Sequence, residues 1–348
     1  MIIVDNTQKF QDSNRLDAAW HFATEDYLLS KLSDFGQPIL MLWQTSPTLM
    51  IGQYQIAQAE IDTKLAKDQQ VSIVRRSSGG GTIFTDPGTL LITLIEQGEQ
   101  KSIRQKFADL LTGALSEMGI DAKLQGRNDI LVGGKKVSGM AQYLRKVDAQ
   151  AGSLPGVVTH GSLLIDTDLD QLVSLLKVDN EKLRSKAIKS IRSRVTNIKK
   201  YAQDKNLPAA AFSVNDFVCA LQKSLQETNA AKPLSLNELD YANIMSIYKE
   251  KYGNPQWIRK RSPKFRLHNS QRFAGGLLDV YLDVSAGEIK SIQLHGDFLG
   301  ASPISGLEAQ LTGQPYDYQA LSKALQQTDL TRYLGDITQE ELLSSVIN

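Results

Sequence analysis

The chain has 348 residues, of which 41% are hydrophobic and 22% charged, with a formal net charge of +1. That balance excludes a largely disordered chain. It also removes any global field that would hold nucleic acid or a membrane surface. The length suits two domains, or one large and one smaller. The single cysteine, Cys219, cannot close an internal disulfide, which fits a reducing cytoplasm. The opening segment has no basic stretch leading into an apolar one, so no signal peptide is read there. No run of about 18 apolar residues offers a membrane span. His21, His160, His268 and His295 are scattered without metal-ligand spacing, so no structural zinc is expected.

In chain order, residues 15–32 carry Ala18, Phe22, Leu29 and Leu32 near the helical period and predict an amphipathic helix. Residues 38–43 and 48–51 are apolar runs of strand length, and residues 45–47 between them predict a hairpin turn. Residues 71–74 form a further strand that ends in two arginines and a glycine run. Residues 90–95 read as a buried strand. Residues 103–118 read as a helix with Phe107, Leu110, Leu111, Leu115 and Met118 on one face. Residues 130–132 and 137–140 flank Gly133 and Gly134 as a hairpin, and residues 162–165 make another strand. Helical patterns dominate from about 168 to 252, broken near residues 206–208 and at Pro233. The run Gly253-Asn254-Pro255, followed by a basic segment at 259–264, places a domain boundary: 1–252 and 253–348. Beyond it, residues 276–284 and 289–294 alternate as strands, with helices at about 304–312, 317–326 and 338–346. The whole predicts an α+β fold, a sheet with packed helices, plus a small α+β C-terminal domain.

Four segments carry candidate chemistry. The first is Arg75-Arg76-Ser77-Ser78-Gly79-Gly80-Gly81-Thr82. Three glycines after a strand let the backbone adopt φ > 0 and approach a ligand, and successive amides there can cradle an anion. Two arginines add donors suited to phosphate or carboxylate. On the glycines alone, a tight turn with solvated arginines is an equally open reading. No Lys-Ser or Lys-Thr follows at P-loop spacing. The second segment is Gly126-Arg127-Asn128-Asp129, followed by Gly133-Gly134-Lys135-Lys136-Val137-Ser138-Gly139. Lys135 sits at the turn and reads as solvated. Lys136 opens a strand with a glycine three residues on, where its cation can reach a site shared with the glycine loop. Asn128 and Asp129 offer an amide and a carboxylate to a nucleotide or its magnesium ion. In the third, Thr159-His160-Gly161, the histidine reads equally as a ligand contact or a hydrogen-bonded turn residue. The fourth is the basic run of Lys182, Arg184, Lys186, Lys189, Arg192, Arg194, Lys199 and Lys200. A solvated helix face is its ordinary reading. The β-branched and basic alternation over 188–195 instead suits a loop that closes over phosphates or meets an acidic partner.

Taken together and in this order, these segments resemble the lipoate–protein ligase family. Its pattern of Arg-Arg-x-x-Gly-Gly-Gly, Gly-Arg-Asn-Asp, Lys-Val-Ser-Gly, His-Gly-Ser-Leu-Leu and Ile-Arg-Ser-Arg-Val is present at 75–81, 126–129, 136–139, 160–164 and 191–195. The helix holding Glu25, and Trp43 ahead of Gly52, also match. The resemblance implies a mixed, largely antiparallel sheet with flanking helices, shared with biotin ligases. It further implies that lipoate and MgATP form lipoyl-adenylate, which a carrier lysine then attacks. By motif match, Lys136 would bridge the α-phosphate and the acyl carbonyl oxygen. Gly79, Gly80 and Gly81 would line the acyl and phosphate site. Arg75 and Ser77 would lie beside the lipoyl chain, His160 would line its pocket and Trp43 would wall its apolar tunnel. Thr82, Asn128, Asp129, Ser190 and Arg192 would meet the nucleotide, with Asp129 toward Mg2+, and residues 188–195 would cover the adenylate. The implied partners are lipoyl carrier domains, such as the glycine cleavage H protein or acyltransferase subunits of 2-oxoacid dehydrogenases. A monomer is expected.

One position departs from the pattern: Thr85 stands where many relatives place a histidine. Three rivals remain. An ATP-independent octanoyl or lipoyl transferase needs a thiolate near the lysine motif. Cys219 instead lies on a helical stretch far along the chain, where a buried apolar position is expected. A biotin ligase would need a Gly-Arg-Gly-Arg-x-Gly loop that is absent. A non-catalytic binder of lipoyl domains would have no use for Lys136, Asn128 and Asp129. No DNA-binding motif is present.

Overall fold

Short runs of Ile, Leu, Val and Met, many of them β-branched, extend as strands. The computed structural model describes residues 1–5, 16–147, 154–175, 193–228, 232–259, 267–285 and 287–347. Its first strands are β1 (Ile2–Asp5), β2 (Ile39–Trp43), β3 (Thr48–Ile51), β4 (Ser72–Arg75), β5 (Ile83–Thr85) and β6 (Thr89–Gln97). Then come β7 (Ala122–Gln125), β8 (Asp129–Val132), β9 (Lys135–Arg145), β10 (Gly156–Leu164) and β11 (Lys232–Pro233). The last three are β12 (Leu267–Phe273), β13 (Gly276–Ser285) and β14 (Glu288–Gly296).

Among the described residues, the main sheet runs β11-β1-β2-β6-β10-β9-β8-β7. Only its β1 pairings with β2 and β11 are parallel. The sheet is therefore mixed and largely antiparallel, as the resemblance implies. The strands β4-β3-β5 form a second sheet. This overturns one expectation. Residues 45–47 do not close a hairpin, because β2 and β3 belong to different sheets and the connector carries the chain from one to the other. The hairpin at Gly133 and Gly134 does form, joining β8 to β9, with φ of 53° and 79° at the two glycines.

Period-2 alternation sorts side chains between the two faces of the main sheet. Leu40, Leu42, Leu90, Ile92, Leu94 and Val157 pack with the helix Gln100–Glu117 on one face. Ile39, Met41, Trp43, Leu91, Ile95 and Val158 pack with the helix Ala18–Ser30 on the other. That second helix is not amphipathic as expected. Every residue from Ala18 to Leu29 is buried, since the helix is covered by Glu238–Ile247 and the π-helical turn Tyr248–Tyr252 as well as by the sheet. A helix enclosed on all sides has no polar face to present.

The C-terminal strands β12, β13 and β14 form a three-stranded antiparallel sheet with its own core. The helices Ser305–Leu311, Tyr318–Leu325, Thr331–Leu334 and Gln339–Val346 cover it. Thr338 and Glu341 form a reciprocal capping box at the start of the last helix. This unit reaches back to the main one. Tyr54 stacks on Phe298 at 4.9 Å between ring centroids and donates its hydroxyl to the Ser302 carbonyl at 2.8 Å. Leu144 N–H bonds the Ala301 carbonyl at 3.0 Å, and Arg127 pairs with Asp336 at 3.0 Å.

Candidate active site

Where the main sheet, the second sheet and the C-terminal unit meet, a cavity of about 370 Å³ opens. Its apolar wall includes Phe22, Trp43, Met50, Phe84 and Leu91. Its polar wall includes Gly79, Gly80, Gly81, Thr82, Asn128, Lys136 and His160. Segments distant in sequence thus converge on one cavity that combines apolar and polar lining. Asp297 and Leu299 of the C-terminal unit complete the lining, and no sequence signal marked them.

The glycine loop is held by the buried guanidinium of Arg76, which is itself part of the cavity lining. Arg76 donates to the carbonyls of Met50 (2.7 Å), Gly79 (2.9 Å) and Gly81 (2.7 Å). Burial, with Arg75 adjacent, pushes its guanidinium down to about 10. Gly80 has φ of 90°, a conformation that side chains disfavour, and its N–H bonds the Phe298 carbonyl at 3.1 Å. A Cβ on Gly52 would lie 1.9 Å from the Gly80 carbonyl oxygen, so the loop's position depends on a bare backbone there.

Arg75 and Ser77 do not line the cavity, contrary to expectation. The buried Arg75 guanidinium donates to the carbonyls of Gly52, Gln53, Gln55, Trp257 and Ile258. It thereby ties the helix Pro255–Arg259 to β4. Arg75 is the last residue of β4, and Ser77 follows it in the bend before the glycines. Ser77 Oγ lies 2.7 Å from the Tyr252 hydroxyl and accepts from Lys251 Nζ at 2.8 Å. Lys251 also meets Asp26 at 2.7 Å, and burial lowers its ammonium from 10.5 despite that partner. A π-helical turn, a local widening that often marks functional sites, aims Lys251 there.

Lys136 is the second residue of β9 and lines the cavity, with Nζ 2.7 Å from Asp129 Oδ1. Asp129 itself stays outside the lining. The glycine three residues on has a direct purpose: a Cβ on Gly139 would lie 2.7 Å from Lys136 Nζ. The ammonium therefore lies across a bare backbone position. Val195 bridges Lys136 in parallel, and Thr196 N–H bonds the Lys136 carbonyl at 3.0 Å. The end of the predicted covering loop is thus docked beside the lysine. Ser190 and Arg192, with Lys182, Arg184, Lys186 and Lys189, lie outside the described residues.

The buried His160 contacts the cavity through its ring, since both nitrogens are engaged. Nε2 lies 2.6 Å from Ser78 Oγ, and Nδ1 lies 3.2 Å from each oxygen of the fully buried Glu25. Thr93 donates to Glu25 Oε1 at 2.5 Å and receives Trp43 Nε1–H at 3.1 Å. Alternation explains the convergence. Thr93 and His160 are opposite each other across β6 and β10, on the face that meets the helix carrying Glu25. Thr85, the departure from the family pattern, is buried with its hydroxyl 2.8 Å from that of Thr45, so this position secures β5 and does not line the cavity.

Cys219 is exposed, not buried as expected. On the helix Val214–Thr228, Phe217, Val218 and Leu221 take the inner face, and the helical period turns residue 219 outward. It is not part of the cavity lining. Among the described residues, no group of three or more His, Cys, Asp or Glu side chains could hold a metal ion. No helix among them is long and apolar enough to cross a membrane.

Comparison with known proteins matches the lipoyl protein ligase A/B catalytic domain over residues 17–226 and the bacterial lipoate protein ligase C-terminus over 262–345. The chain belongs to the lipoate–protein ligase family. Within this family it is 35% identical to lipoate-protein ligase LplJ of Bacillus subtilis, covering 99% of this chain and 100% of that one. It is 31% identical to lipoate–protein ligase 1 of Staphylococcus aureus, over 96% and 98% of the two chains. The family fold is also visible in structure. The crystal structure of P. falciparum LipL1 in complex with lipoate superposes with a TM-score of 0.77 at 21% identity, over 99% of each chain. A lipoate-protein ligase A bound with ATP gives 0.57 at 22% identity, over 70% of this chain and 94% of that one.

Proposed function

We propose that this family member activates lipoate with MgATP and joins it to a lysine of a lipoyl carrier domain. In the first step a lipoate carboxylate oxygen attacks the α-phosphorus of ATP, giving lipoyl-adenylate and pyrophosphate. In the second, a carrier amine attacks the acyl carbon, the amide forms, a proton is lost and AMP departs. The observation that carries this reading is Lys136, held against Gly139 in the lining of the same cavity as the glycine loop. A fixed cation there offsets negative charge that grows on the α-phosphate and acyl oxygen, without reorganisation during the step. Asn128 and Thr82 line the same cavity, which supports a nucleotide beside them, and the Trp43 and Phe22 wall suits the hydrocarbon and dithiolane end. Asp129 is already paired with Lys136, and among the described residues no group of three or more His, Cys, Asp or Glu side chains could hold a metal ion. A magnesium ion accompanying ATP would therefore rely mainly on phosphate oxygens and water. The full-length match to ligases that include the C-terminal module favours this reading over a thiol relay, for which the cavity supplies no cysteine.

Residues 1–252 would form the catalytic unit and 253–348 the linker and accessory domain, acting as a cytoplasmic monomer. The carriers would be small lipoyl domains such as the glycine cleavage H protein or 2-oxoacid dehydrogenase acyltransferase subunits. A bipartite ligase of Thermoplasma acidophilum has been studied with its E2 lipoyl domain. The test is pyrophosphate release from MgATP, with and without lipoate and with no carrier. Lipoate-dependent release is expected, and Lys136→Ala should lower it about 10²–10³-fold while the protein stays folded. Full release by that variant refutes the mechanism.

A further inference from the structure

We propose that Glu25, His160 and Ser78 form one positioning unit that sets the shape of the glycine loop for the adenylation step. The step itself rests on the acyl-adenylate reading above. Glu25 is fully buried, and a carboxylate in such a place is costly unless it is hydrogen-bonded. Thr93 and His160 Nδ1 supply those contacts. With Nδ1 turned to the carboxylate, the imidazole orientation is fixed and Nε2 is directed at the Ser78 hydroxyl. Trp43 joins the same chain through Thr93. A continuous set of hydrogen bonds therefore runs from the apolar wall, through a buried helix, to the residue immediately before Gly79.

That end point matters physically. Glycines carry little conformational preference, so their loop takes its shape from what holds its edges. Arg76, itself part of the cavity lining, grips the carbonyls of Gly79 and Gly81. The Ser78 contact with His160 grips the entry side. The order of carboxylate, imidazole and hydroxyl is that of a nucleophilic triad. Here, though, Ser78 is fully buried and absent from the cavity lining, whereas Gly79 and His160 are in it. The hydroxyl holds the loop, and no bond is made or broken at Ser78.

Hydrogen exchange and kinetics test this together. In Ser78→Ala and Glu25→Gln, amide exchange over residues 78–82 should accelerate about tenfold, in line with the net worth of one such hydrogen bond. The helix Gln100–Glu117 should exchange as before. The kcat for lipoate-dependent pyrophosphate release should fall by about tenfold, with KM for ATP within about twofold. The double variant should lose little more than either single one, because both break the same chain. Unchanged loop exchange in both single variants overturns the proposal. Additive losses in the double variant do so as well, as does an acyl ester found on Ser78 by mass spectrometry after incubation with an activated octanoyl ester. A wild-type protein that releases no pyrophosphate would remove the acyl-adenylate reading, while loop exchange still decides the positioning claim.

Discussion

Replacing Gly139 by alanine separates the aim of Lys136 from its presence. The new Cβ would fall 2.7 Å from Lys136 Nζ and 2.8 Å from its Cε. Relaxing the first of these to the 3.4 Å of ordinary contact moves the ammonium by about 0.7 Å. The far end of a lysine yields cheaply, and residue 139 lies within strand β9, so the fold should tolerate the change. Reduced freedom of the unfolded chain adds about 0.4–1 kcal/mol of stability if the strand backbone suits alanine. Function should not tolerate it. A misplacement of about 1 Å in a reacting geometry costs about 10²-fold, so kcat for lipoate-dependent pyrophosphate release should drop by roughly 30- to 100-fold. Thermal melting of the same preparation should show an equal or slightly higher Tm. A stably folded Gly139→Ala protein with wild-type kcat would falsify the claim that the position of Lys136 sets the rate.

Other perturbations probe the framework and the partner surface. Arg75→Met leaves several buried carbonyls without a donor and should cost about 3 kcal/mol or more in denaturant unfolding. A change confined to the KM for lipoate, at unchanged stability, would instead place Arg75 against the ligand. Burial lowers the Lys251 ammonium from 10.5, so its charging cost is fully present below the lowered value. Between that value and 10.5 the unfolded chain binds the extra proton, and stability contributed by this group rises with pH. Urea midpoints should therefore show wild type gaining on Lys251→Met as pH climbs toward 10.5, and a constant gap would contradict this. Lys199 and Lys200 pair with Asp166 and Asp204, but exposed pairs are weak and leave both cations open to an acidic carrier. Reversing both charges should raise the apparent KM for carrier and reduce its salt sensitivity. An unchanged KM removes this surface from carrier docking.

Much of this molecule was legible in its residues. Apolar runs of strand length at 39–43 and 89–97, the Gly133-Gly134 hairpin and the helical period over 100–117 are local properties, and local physics forms them. The motif residues Gly79, Gly80, Gly81, Asn128, Lys136 and His160 do line one cavity, as their order in the chain suggested. What could not be read depends on which elements lie against one another. The connector at 45–47 has a turn's composition, but the partners of β3 are β4 and β5, each more than 20 residues on, not β2. The helix Ala18–Ser30 has a pattern compatible with one polar face, yet two layers enclose it, and its Glu25 is buried because Thr93 and His160 are there to receive it. Arg75 belongs to the motif, but the docking of the helix Pro255–Arg259 decides that its guanidinium serves backbone carbonyls. Asp297 and Leu299 reach the cavity only because a separate C-terminal sheet packs on the glycine loop. Residue type and spacing determine elements and reactive groups, since these act over a few residues. Burial, hydrogen-bond partners and the far wall of the site come from contacts distant in the chain, which no local pattern encodes.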